Sequence, residues 1–132
     1  MRDRPATNYL VVITLSEYEQ PIISRIRQHG PMIKQIMEMV SAKDTEPTIA
    51  FNSRTGETIG YLLRSELHPV AIISQLESPG TNDPRNPKFH KSDKMTSPIQ
   101  IKDRILVLEL GSESASVRYG GLTNWLTKNL RQ

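Results

Sequence analysis

NYLVVITLS, residues 8–16, decides the fold, together with its counterpart DRILVLELG at residues 103–111. In the first stretch Tyr9, Val11, Ile13 and Leu15 alternate with Leu10, Val12 and Thr14, so both sides of the segment are largely apolar. The second repeats this quality through Ile105, Leu106, Val107 and Leu108. A short run that is apolar on both faces reads as a strand covered on each side. The two runs therefore predict a buried sheet.

Outward from the first run, Ser16 and Glu19 make the S-x-x-E pattern of a capping box, which predicts a helix next. Pro21 moves its expected start to near Gln20. Ile22, Ile23 and Ile26 form one apolar stripe ahead of His29-Gly30-Pro31, where glycine followed by proline predicts a stop and a restart. Ile33, Ile36, Met37 and Val40 then follow at amphipathic spacing. Residues 48–64 predict a hairpin, with Ile49 and Phe51 before the turn Asn52-Ser53-Arg54-Thr55-Gly56, and Ile59, Tyr61 and Leu63 after it. His68-Pro69 opens a second helix, with Val70, Ile73 and Leu76 expected inside and Ile72 nearby, closed by Ser78-Pro79-Gly80.

Residues 79–98 differ in kind: Pro79, Pro84, Pro87 and Pro98 punctuate them, and only Phe89 and Met95 are large and apolar. Such a segment cannot bury enough surface to offset the entropy of ordering it, so a long basic loop is expected there. After the last strand, Leu122, Trp125, Leu126 and Leu130 predict a C-terminal helix. The predicted class is α+β: a ferredoxin-like split βαββαβ unit with an antiparallel sheet, a long loop before the last strand and an extra C-terminal helix. All of it fits one domain over residues 1–132. Two helices in that fold cover one face of the sheet. Two-sided apolarity thus requires a further layer, the Trp125 helix, a second subunit or both, and a homodimer is expected.

The chain has no cysteine, which excludes disulfides, thiolate metal sites and a thiol nucleophile. No stretch has the length or apolarity of a membrane span or a signal peptide, so a soluble cytoplasmic protein without membrane partners is expected. Lys and Arg number 17 against 14 Asp and Glu, a net charge of +3. That balance tolerates nucleic acid without supplying the dense basic stripe of a dedicated binder.

Three segments carry a family resemblance. They are Tyr9 to Leu15, then Leu63-Arg64-Ser65-Glu66-Leu67 leading into a helix, and Asp103 to Glu109 followed by the Trp125-Leu126 helix. In these the chain resembles the SinR-like group of small ferredoxin-like proteins, relatives of the CRISPR-adaptation nuclease subunits and of VapD-type toxins. The resemblance spans about two thirds of the chain. It implies a dimer, and in the nuclease members an aspartate ending the first strand helps two subunits hold a magnesium ion. The matching position here is Thr14, a poor substitute for a hard anionic ligand. The resemblance thus implies a copy without that catalysis.

Individual residues offer little chemistry. Glu109 could ligate a metal or accept a proton, but a carboxylate ending a strand more often reaches solvent; Glu113 is weaker still. His29, His68 and His90 stand in separate segments, with no pair at metal-ligand spacing. The glycines form no nucleotide-binding pattern, and Tyr119-Gly120-Gly121 reads as a turn into the last helix before it reads as an anion site. No metal, cofactor or catalytic residue is expected. Met32, Met37 and Met39 could form an adaptable partner surface, with Met37 better read as core. Arg85, Lys88, Lys91 and Lys94, with Phe89 among them, pair charge with an aromatic that can stack on a base, although Asp83 and Asp93 dilute them.

Three readings follow. The first is a non-catalytic dimeric binding protein that contacts a protein or nucleic acid through the sheet edge and the basic loop. The second is a divergent metal-dependent nuclease with Glu109 or Glu17 replacing the missing aspartate. The third is a small-ligand-binding dimer with a pocket around Tyr9, Tyr61 and Trp125. The first is preferred.

Overall fold

The computed structural model describes residues 5–17, 20–79 and 96–110. The expected C-terminal helix, with Trp125, and the greater part of the expected 79–98 loop lie outside these residues. Four strands, β1 (Thr7–Thr14), β2 (Thr48–Asn52), β3 (Thr58–Ser65) and β4 (Arg104–Glu109), and two helices, α1 (Ile22–Val40) and α2 (Pro69–Glu77), alternate along the chain. The protein is α+β, with one open sheet of order β2-β3-β1-β4 in which every neighbouring pair is antiparallel. β3 therefore lies between β1 and β2, which α1 connects, and β1 lies between β3 and β4, which α2 connects.

Register explains the layers. Tyr9 faces Leu63, Val11 faces Tyr61 and Ile13 faces Ile59, so these side chains share one face. They join Ile33, Ile36, Met37 and Val40 of α1 with Ile72 and Leu76 of α2 in the main core. Leu62 belongs to the opposite, helix-free face, where it is fully buried with Ala50, and Leu10, Phe51 and Leu110 pack against it. Burial on both faces is thus realised at β3. It is not realised at β4: Ile105 and Val107 join the main core, but Leu106 and Leu108 on the other face remain 50% and 45% exposed. β4 is an edge strand of the described sheet.

Several local expectations are corrected. Gly30-Pro31 does not break α1, which runs unbroken from Ile22 to Val40. Its buried positions, Arg25, His29, Ile33, Ile36, Met37 and Val40, form one continuous stripe across the glycine and proline, with Pro31 itself exposed. Burial of that stripe outweighs the local cost of the two residues. Ser16 does not cap the helix. Pro21 takes the N-cap position, and Glu17 Oε2 accepts the Ile22 N–H at 2.9 Å. Ile23, expected inside, is 61% exposed. α2 is rotated from its expected setting: Ile72, Gln75 and Leu76 are buried, while Val70 is exposed. The end of the expected loop is anchored, since Ser97 Oγ donates to Leu76 O at 2.9 Å and accepts the Ile99 N–H. Among the described residues no helix is long and apolar enough to cross a membrane.

Candidate functional site

Polar chemistry in the described residues concentrates where β1 ends, α1 begins and the chain turns into β4. Arg25 projects from the buried stripe of α1 and has no solvent exposure. Its Nη1 meets Asp103 Oδ1 at 2.5 Å and its Nη2 meets Asp103 Oδ2 at 2.8 Å, a bidentate pair with both side chains fully buried. The same nitrogens donate to Ser16 O at 2.9 Å and Pro98 O at 2.8 Å, and Nε donates to His29 Nδ1 at 3.2 Å. Five donors thus find five acceptors, the full capacity of a guanidinium.

Asp103 is equally engaged. Besides Arg25, its carboxylate accepts the Ser16 N–H and Oγ–H at 2.8 and 2.9 Å and the Gln100 N–H at 2.7 Å. Burial alone would raise its pKa, but the hydrogen bonds from Arg25, Gln100 and Ser16 outweigh that and hold it below the ordinary carboxylate value. His29 is shifted down, by burial first and then by the Arg25 charge, against a smaller opposing pull from Asp103. Because Nδ1 accepts a hydrogen bond from a guanidinium that always carries its protons, the imidazole is neutral with its proton on Nε2. His29 thus lies in mid-helix, Gly30 not ending α1, and is neutral.

An open groove of about 450 Å³ adjoins this cluster, lined by Ile73 and Glu77 of α2 and by Ser97, Ile99, Gln100, Ile101, Asp103 and Ile105. It is not the pocket expected from sequence. Tyr9 and Tyr61 are core residues of the helix-covered face, the first donating its hydroxyl to Leu67 O at 3.0 Å. Burial, then the nearby Glu38 charge, raises the Tyr61 pKa. Trp125, the third member of that pocket, is outside the described residues.

Thr14 stands at the end of β1, its Oγ1 3.0 Å from Thr58 Oγ1 on the neighbouring strand. The carboxylate bound just beyond it is Asp103, already occupied by Arg25. Glu109 is exposed and pairs in register with Tyr9 at the start of β1, whereas Glu17 follows its end. Eight residues of extended chain separate those levels by roughly 25 Å, so the two cannot share one ion within a chain. Among the described residues no group of three or more His, Cys, Asp or Glu side chains could hold a metal ion. His68 is exposed at the N-cap of α2. Met37 is core, with Met32 and Met39 half-buried. Arg85, Lys88, Phe89, His90, Lys91 and Lys94 lie outside the described residues, as do Glu113 and Tyr119-Gly120-Gly121.

Sequence reasoning missed Arg25 and Asp103 as partners. One signal was present: carried through Gly30-Pro31, the helical stripe of Ile33 and Ile36 runs back through His29 to Arg25. Nothing in the sequence singles out Asp103 from the other residues that precede strands. No protein-family model matches the chain, and no curated protein or solved structure proved similar to it.

Proposed function

We propose that this chain is a non-catalytic interaction protein of the ferredoxin-like class that works as a homodimer and contacts nucleic acid through its basic segment. The class rests on the two interleaved β-α-β units, which give the split βαββαβ element order. It is the class that the resemblance to the SinR-like group implies.

The dimer rests on one observation, the exposed pair Leu106 and Leu108 on a regular edge strand. Edge strands are ordinarily blunted against pairing by bulges, charge or cover. The opposite edge, β2, carries a register shift between Ile49 and Phe51 that blunts it. β4 pairs with β1 without interruption from Arg104 to Glu109. Antiparallel pairing of β4 with its own copy is self-complementary, so one two-fold axis sets the leucines of the two chains side by side on one face and covers part of each. Complete burial of a leucine is worth about 1.5–3 kcal/mol, so four half-exposed ones supply several kcal/mol toward association. Leu106→Glu with Leu108→Glu should give a monomer that retains its thermal stability. A double variant that still self-associates contradicts the β4 interface.

Nucleic acid is favoured as the outward partner because Arg85, Lys88, Lys91 and Lys94 surround Phe89 in the sequence, joining backbone charge to a stacking ring. Gel shifts across a salt series should weaken steeply as salt rises, and Lys88→Glu with Lys91→Glu should abolish binding. A shift insensitive to salt and to both charge reversals argues against this partner. The absence of an acidic ligand at Thr14 favours binding without cleavage.

A further inference from the structure

We propose that His29 makes the Arg25–Asp103 cluster an acid-sensitive latch on the groove beside α2, and that protonation of the imidazole releases the groove wall. Five of the eight lining residues, Ser97, Ile99, Gln100, Ile101 and Asp103, belong to the single stretch that leads into β4, and Ile105 lies at the start of β4 itself. That stretch is held to the helices mainly through Arg25, which takes Pro98 O and both Asp103 oxygens, and through Ser97 Oγ on Leu76 O. The turn closes on itself through Gln100, whose N–H reaches Asp103 Oδ2 and whose carbonyl accepts the Asp103 N–H at 2.9 Å. Moving Arg25 therefore moves the wall.

His29 holds the guanidinium at Nε, away from the two nitrogens that bind Asp103, through the one bond that needs an unprotonated Nδ1. A proton on Nδ1 removes that acceptor and sets a second cation against Arg25, within a cluster that holds a single carboxylate. The charged groups acting on the imidazole are Arg25, from its own helix, and Asp103, from the turn ahead of β4. Asp103 is already neutralised by a bidentate partner, so it compensates the new charge poorly. The guanidinium must then shift, and it carries Asp103, Pro98 and the groove wall with it. The trigger lies below the ordinary histidine range, because burial and Arg25 both oppose the cation.

The test is a nuclear magnetic resonance titration of the intact chain from pH 8 to pH 5. It follows the His29 ring together with the Ser16 and Gln100 amides, both of which donate to Asp103. The two amides and the Ile99 and Ile105 methyl groups should move with the His29 ring, at a midpoint below 6.5, the ordinary histidine value. His29→Gln keeps an acceptor for Arg25 and removes the proton site, so the four probes should stay still across the same range. Probes that remain fixed while the wild-type His29 ring titrates would overturn the latch, as would a His29→Gln protein whose probes still move. The wild-type titration decides the matter even where the variant folds poorly.

Discussion

The ring of Phe51 occupies the space that a side chain on Gly60 would need. A Cβ placed on Gly60 would stand 2.4 Å from Phe51 Cε1 and 2.6 Å from Cζ. The two residues pair across β2 and β3, and the ring packs beside Leu62 on the helix-free face. Gly60→Ala should therefore destabilise the fold by about 1–3 kcal/mol, as overpacking does. Adding Phe51→Ala should recover part of that loss, so that the double variant is more stable than the two single effects summed. Urea unfolding of the four proteins checks this, and strict additivity would contradict it.

Gly30 presents the opposite case. No heavy atom lies within 4 Å of a Cβ built there, and the residue sits inside α1. Gly30→Ala should stabilise by about 0.5–1 kcal/mol, through helix propensity and a less flexible unfolded chain. A thermal melt should rise by a few degrees. A fall would mean that the helix needs the glycine.

Removing one partner of the buried pair leaves the other charge stranded. Arg25→Met and Asp103→Leu should each destabilise by about 3–5 kcal/mol. The double variant should lose much less than the sum, because no uncompensated charge remains in the interior. Equal additivity in a double-mutant cycle would show that the pair is not coupled.

Stability should depend on pH in two separate windows. His29 has a depressed native pKa, so the unfolded chain takes up a proton near 6.5 before the folded one does. Its contribution is complete above that value and is lost as pH falls toward the lower native pKa. Asp103 is also depressed, so its contribution is complete above 3.8 and is lost as pH falls through its lower native value. Urea midpoints measured from pH 8 to pH 3 should fall in the first window for wild type and not for His29→Gln. A flat wild-type profile between pH 7.5 and pH 5.5 would contradict the neutral, buried imidazole.

The order of elements was legible because it rests on apolar periodicity, which the sequence displays directly. NYLVVITLS became β1 and the core of DRILVLELG became β4, while Asn52 to Gly56 made the turn of the hairpin, with Gly56 at φ +87°. What misled were local signals overruled by tertiary contacts. Gly30-Pro31 reads as a break in isolation, but the stripe from Arg25 to Val40 buries more than the two residues forfeit. Ser16 reads as a cap, yet its N–H and hydroxyl both serve Asp103, 87 residues further on. The candidate site was the least legible part, since a buried ion pair between distant positions leaves no spacing to detect. Apolar residues on both faces of β4 were visible, but exposure of Leu106 and Leu108 follows from its place at the sheet edge, which only the topology reveals.

The most direct test of the account is the mass of the wild-type chain by light scattering across micromolar concentrations. Pairing through β4 predicts twice the 15.0 kDa chain mass, falling to the single-chain value in Leu106→Glu with Leu108→Glu. A wild-type mass of one chain throughout that range would contradict it.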